Sequence, residues 1–392
     1  MNYKSLLSDT VNNLEHSEID RIFEMAARME DVVVLAMGQP DFNTPDNVSL
    51  AAIKAICNKQ TRYTDDLGIE ELRKAISEYL DKKYGVKYNP VNEIIAFAGV
   101  SNAIDTALRA LVNPGDEVIV HQPCYNSYVP CILLAGGKPV IIDTKEEEGF
   151  KLSPERLMAA ISGKTKAIIL SYPNNPTGAC LNREELMAIR DVIDGKDIFV
   201  LSDEIYSETI YEGEFVSFAS LPGMWEKTVT LNGVTKSCSM PGWRLGYACA
   251  PAEIVDAMLK VHQFNVINAP SISQHAAVEA LRNCDGYVKE TLGIYDKRRK
   301  YMYKRFRDMG LDCMEPKGAI YVFPSIKGTG LTSKEFCDRL LYEAKVAVVP
   351  GYEFGSCGEG YIRCSFTTPM ENIEKAMDRI EKFIKSGGFN IA

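Results

Sequence analysis

Six short apolar runs, at residues 94–98, 118–120, 140–143, 167–171, 198–202 and 228–231, punctuate the middle of the chain, and helical segments lie between them. Runs that short and that apolar read as strands buried on both faces. Their alternation with helices from about residue 50 to 250 points to a mainly parallel, doubly wound sheet. The segment 68–84 shows the helical pattern, with Leu72, Ile76, Tyr79 and Leu80 on one stripe and Glu, Lys and Arg on the other. Ser153-Pro154 reads as an N-cap with proline in the first turn, and Asn182 with Glu185 as a capping box.

The two ends of the chain have another character. Ser17 caps a helix striped by Ile19, Ile22, Phe23 and Ala26. Thr368-Pro369-Met370-Glu371 is read as the cap of a terminal helix with Ile373, Met377, Ile380, Phe383 and Ile384 inward. Strand-like runs stand at 319–323 and 362–366. The expected fold is therefore α/β: a large domain (47–294) with the doubly wound sheet, and a small α+β domain built from both chain ends (13–46 and 295–392). Residues 1–12 form an arm with no core of their own.

Composition excludes several classes. The 392 residues suffice for two or three domains. With 46% hydrophobic and 25% charged residues the chain is neither disordered nor fibrous. Its net charge of −9 repels phosphate backbones and anionic lipid, so neither nucleic acid nor membrane is expected as a partner. The stretch 118–137 holds His121, Gln122, Pro123, Asn126, Ser127 and Pro130, polar groups and prolines that are costly in hydrocarbon. Residues 1–10 carry Lys4 and Asp9 and no continuous apolar run, which argues against a secretory signal and for a cytoplasmic enzyme. Eleven cysteines without a Cys-x-x-Cys pair read as reduced thiols, and four scattered histidines give no metal site.

Four segments follow expected strands, where ligand sites of open α/β sheets collect. Gly99-Val100-Ser101-Asn102-Ala103 is either a tight strand-to-helix turn or a phosphate cradle at a helix start. In Tyr172-Pro173-Asn174-Asn175-Pro176-Thr177-Gly178 two prolines bracket an Asn pair, which makes a rigid turn or aims the Asn175 amide at a ligand. Asp203, in Ser202-Asp203-Glu204-Ile205-Tyr206, places a carboxylate at the end of a buried strand, where it needs a cation, structural or bound. Lys236 and Arg244, eight residues apart around Gly242, pair an amine with a guanidinium in a small, polar run.

Together these segments resemble the class I and II pyridoxal-phosphate-dependent aminotransferases of fold type I. The likeness extends to Gly38-Gln39-Pro40-Asp41-Phe42-Asn43-Thr44-Pro45, Pro350-Gly351, Phe354-Gly355 and Arg363, and so spans residues 38–366. It implies pyridoxal 5'-phosphate as cofactor and a ping-pong transfer of an amino group between an L-amino acid and a 2-oxo acid, with a carbon–sulfur β-lyase as the alternative. By the same resemblance Lys236 is the Schiff-base lysine and proton carrier, and Asp203 the partner of the pyridine nitrogen. Asn175 and Tyr206 bond the ring oxygen, and Tyr125 stacks on the ring. Gly99, Val100, Ser101 and Arg244 hold the phosphate, with Tyr63 lent across a homodimer interface. Arg363, helped by backbone around Gly38, clamps the substrate carboxylate. The chain departs from the family pattern at Cys238, Pro241, Gly233 and the pair Tyr352-Glu353. Ser101 stands where one aspartate-preferring subgroup carries a lysine. Phe23, Tyr125, Tyr321 and Phe264 or Asn265 are expected to line a side-chain pocket for neutral or aromatic donors.

Overall fold

A computed structural model describes residues 1, 3–387 and 389. Asn2 of the expected arm, and positions 388 and 390–392 at the end of the expected small domain, lie outside the described residues. In chain order the strands are β1 (Val33–Val34), β2 (Ile94–Phe97), β3 (Glu117–Gln122), β4 (Lys138–Asp143), β5 (Thr165–Ser171) and β6 (Phe199–Asp203). They continue as β7 (Thr228–Gly233), β8 (Gly246–Cys249), β9 (Tyr321–Val322), β10 (Val346–Ala347), β11 (Val349–Pro350) and β12 (Ile362–Ser365).

The central sheet has seven strands in the order β2-β8-β7-β6-β5-β3-β4. Strands β3 to β7 pair in parallel, and β8 runs antiparallel to both of its neighbours, β2 and β7. The fold is the expected α/β arrangement. Two features depart from the sequence reading. Strand β4 is not buried on both faces: it closes an edge of the sheet, and of its residues only Ile142 is fully covered. Strand β8 has no apolar run to announce it, because Gly246, Tyr247, Ala248 and Cys249 fill their places by close packing. A Cβ at Gly246 would sit 2.5 Å from the Val100 nitrogen.

The chain ends make smaller sheets. β1 pairs in parallel with β10, and β11, β12 and β9 form an antiparallel trio. One apolar core joins these to the central sheet, from Ile119 and Ile168 to Ile22, Phe336 and Ile380. The Ser17 hydroxyl accepts from the Ile19 N–H at 3.2 Å, and Asn182 and Glu185 cap each other reciprocally at 2.9 Å. Ser153 accepts from the Arg156 N–H ahead of Pro154. The terminal helix differs from expectation. It starts at Met370 with extended Pro369 at its N-cap and no side-chain cap, and Thr368 instead receives the Asn372 amide at 3.3 Å. Among the described residues no helix is long and apolar enough to cross a membrane.

Parallel strands end on the same edge, and this gathers the motifs. β6 ends at Asp203, β7 ends three residues before Lys236, β5 ends four before Asn175, and β2 ends two before Gly99.

Candidate active site

A cavity of about 470 Å³ opens at that edge. Its walls include Val100, Ser101, Tyr125, Asn175, Asp203, Tyr206, Lys236 and Arg244 from the central part of the chain, and Gly38, Tyr321 and Arg363 from the ends. Of the expected site residues, Gly99 borders the cavity through Arg244, and Tyr63 stands away from it, 82% exposed.

Lys236 keeps part of its surface open to the cavity while its amine donates to the Gly38 carbonyl. Burial lowers its pKa to about 8; the Arg363 and Arg244 charges push the same way, and Asp203 opposes them. Asp203, 5% exposed, is held from two sides. The Tyr128 hydroxyl donates to Oδ2 at 2.6 Å and the Ile205 N–H to Oδ1 at 3.2 Å. Burial raises its pKa, against those two hydrogen bonds and the charge on Lys236. A carboxylate so placed favours a cationic partner.

Arg363, on β12 and 3% exposed, is fixed before any ligand arrives. Its guanidinium lies 4.4 Å from the Tyr321 ring centroid and 4.7 Å from that of Phe354. One Nη donates to Asn175 Oδ1 at 3.0 Å and the other to the Ala36 carbonyl at 2.8 Å, while the buried Nε has no hydrogen-bond partner among the described residues. The Tyr206 and Tyr321 hydroxyls share a hydrogen bond of 2.8 Å. Gly38 leaves room for them, since a Cβ there would stand 2.5 Å from the Tyr321 hydroxyl.

Gly99 ends the turn with φ +93°, and a Cβ on it would meet Arg244 Nη2 at 2.5 Å. The helix Val100–Leu111 starts immediately after it, with its first N–H groups free of intrahelical partners. Exposed Arg244 adds its guanidinium beside them, bonded to the carbonyls of Pro241 (3.1 Å) and Ala98 (3.4 Å). Free N–H groups beside a guanidinium are an arrangement that suits an anion.

The family model for aminotransferase class I and II matches residues 30–380. Aspartate aminotransferase of Pyrococcus abyssi is 44% identical over 382 residues, covering 97% of this chain and 98% of that one. Aromatic-amino-acid aminotransferase 2 of Thermococcus litoralis is 41% identical with the same coverage. The crystal structure of aromatic aminotransferase from Pyrococcus horikoshii OT3 superposes with a TM-score of 0.89 at 42% identity, covering 93% of this chain and 99% of that one. The chain belongs to the class I and II aminotransferases. These relatives are aminotransferases throughout, so the β-lyase alternative is not supported.

In this aminotransferase two of the expected walls of the side-chain pocket lie elsewhere. Phe23 faces the core, and Ile19, one turn earlier on the same helix, reaches the cavity instead. Phe264 is 93% exposed and Asn265 is exposed beside it, because the helix Ala252–Asn265 ends at the surface. Tyr128 was missed, although its spacing of three residues from Tyr125 was a usable signal; the two rings meet edge-to-face at 5.5 Å. Thr235 and Gln39 also reach the cavity, each beside a residue the sequence singled out, Lys236 and Gly38.

Proposed function

We propose that this aminotransferase uses pyridoxal 5'-phosphate and takes neutral or aromatic L-amino acids in preference to aspartate, with a 2-oxo acid as acceptor. One observation carries the donor preference. Among the described residues the cations lining the cavity are Lys236, Arg244 and Arg363, and each has a task that leaves none for a distal carboxylate. Ser101 offers a hydroxyl, and Ile19, Tyr125 and Tyr321 offer apolar surface. A second carboxylate buried there without a cation faces a desolvation cost of several kcal/mol.

The donor set fits the cofactor. The Gly99 turn and Arg244 suit its phosphate, Asp203 its pyridine nitrogen, Asn175 and Tyr206 its ring oxygen, Tyr125 its ring face and Lys236 its aldehyde. When bound, pyridoxal phosphate supplies an electron sink for the pair left on the donor's Cα. The remaining work belongs to the chain. Asp203, kept in place by Tyr128 and Ile205, holds the ring-nitrogen proton. Lys236 Nζ, with its pKa lowered to about 8, would take the Cα proton and deliver it, across the intervening nitrogen, to the carbon that the cofactor's aldehyde supplies. Arg363 receives the α-carboxylate in its two-pronged fork. Tyr125 and Ile19 cover the side chain and exclude water.

Two further points belong to this reading. Tyr63 exposed away from its own cavity, and Leu50, Ile53 and Ile56 exposed along one helix, support a homodimer with Tyr63 lent to the partner's phosphate. Eleven free cysteines support a reducing, cytoplasmic setting. The test of the donor preference is single-turnover conversion of the holoenzyme, followed by absorbance across the twenty amino acids. Fastest conversion with phenylalanine, tyrosine or another neutral donor is expected. Fastest conversion with aspartate or glutamate refutes the preference.

A further inference from the structure

Glu353, one of the departures from the family pattern, holds three separate pieces of the molecule at one carboxylate. It lies in the short turn Gly351–Phe354. Its Oε1 accepts from the Ser17 hydroxyl at 2.6 Å and from the Asn126 amide at 2.6 Å, and its Oε2 accepts from the Glu18 N–H at 3.2 Å. The Asn126 amide also reaches the Ser17 hydroxyl at 3.3 Å. Among the described residues no Lys or Arg forms an ion pair with Glu353, so hydrogen-bond donors and the positive end of the helix Glu18–Ala27 answer its charge.

Each piece carries a wall of the cavity. Ile19 follows Ser17 by two residues, and Tyr125 precedes Asn126; both side chains line the cavity. Phe354, next to Glu353, stacks on the Arg363 guanidinium. The turn itself is seated on the end of β3. The Cys124 N–H donates to the Phe354 carbonyl at 2.9 Å, and a Cβ on Gly355 would collide with the Gln122 side chain at 2.3 Å. The backbone of the turn is therefore fixed, and its carboxylate reaches outward to set the other two pieces against it.

We infer that Glu353 is a positioning residue that fixes the distance between Ile19 and Tyr125, and through it the enzyme's discrimination between large and small donor side chains. A carboxylate suits the task because it accepts from all three donors at once. A glutamine has one acceptor oxygen and cannot serve both the Ser17–Asn126 side and the Glu18 N–H. Loosening the latch leaves Lys236, Asp203 and Arg363 in place and widens the space between the two apolar walls. The inference rests on the donor reading above, so its test includes a measurement that does not depend on turnover.

In E353Q holoenzyme, kcat/KM for L-phenylalanine should fall about tenfold through KM, with L-alanine within about twofold of the parent and kcat little changed. N126A should shift the same ratio in the same direction, and E353Q with N126A should cost little more than E353Q alone, because both break one linkage. Calorimetric binding of 3-phenylpropanoate against propanoate should reproduce the change in ratio without any reaction. Equal losses for both donors, a loss in kcat alone, an unchanged ratio or full additivity overturns the inference. If E353Q fails to fold, S17A and N126A read the same ratio with Glu353 intact. A parent enzyme that converts no neutral donor yet shows the ratio change in carboxylate binding overturns the donor reading and leaves the latch standing.

Discussion

Lys236 and Asp203 stand just beyond or at the ends of long parallel strands of the central sheet, whereas Arg363 and Tyr321 come from strands of four and two residues near the C-terminal end of the chain. The two regions face one cavity and handle charge in opposite ways. At the strand ends the groups are titratable, and burial does the tuning: Lys236 moves down to about 8, and Asp203 moves up. In the chain-end sheet the guanidinium keeps its charge, so the only property left to control is orientation. Two aromatic rings, an amide and a carbonyl supply it. On the proposed reading, the division gives proton movement to one region and recognition to the other.

Three experiments test that division. Lys236→Ala should cut kcat by about 10⁴-fold or more, since it removes the proton carrier, while donor binding stays within about tenfold. Pre-steady-state rates and a binding isotherm measure the two separately, and near-normal transamination removes Lys236 from the mechanism. Arg363→Lys should do the reverse. It keeps a point charge but loses the fork, so kcat/KM should fall about 100-fold, nearly all of it in KM. A loss concentrated in kcat would show that the two regions are not separable.

The smallest effect is the pH profile. Lys236 acts as a base only when deprotonated, so the half-reaction rate should climb with pH through about 8 and then level. The neutral fraction of such an amine rises about tenfold between pH 7 and pH 9, and stopped-flow rates over that range should follow it. Arg363→Lys should leave this limb in place, because the neighbouring positive charge is retained. A flat profile, or a falling one, assigns the proton transfer to another group.

The central sheet was legible because β2, β3, β5, β6 and β7 are buried on both faces, and a buried strand must write its environment into every residue. β8 escaped notice because glycine at 246 answers to close packing against the Gly99 turn and alanine at 248 is too small to read as an apolar run. β4 misled for the opposite reason, its apolar residues lying half-covered at an edge. The site motifs at Asn175, Asp203, Lys236 and Arg244 could be read because each follows a strand and carries an unusual side chain. Pocket walls were harder. Whether Ile19 or Phe23 reaches the cavity depends on how one helix docks, which is set by contacts such as Glu353 with Ser17, 336 residues apart in the chain. Capping boxes, closed within four residues, were read correctly at Asn182; at Thr368 the proline took the capping position instead.

Arg363 has a consequence for traffic through the enzyme. Its fork lies rigid in the wall, its Nε without a hydrogen-bond partner among the described residues, and a carboxylate would suit it whatever that carboxylate is attached to. On the proposed reading, the amino acid that enters, the oxo acid that leaves, the second oxo acid and the final amino acid all carry the group that berths there. Each product therefore competes with each substrate for a single mooring, and the protein has no means of favouring departure over arrival. The direction of net transfer is left to the relative abundance of the four acids, so the same molecule serves synthesis or breakdown according to what surrounds it.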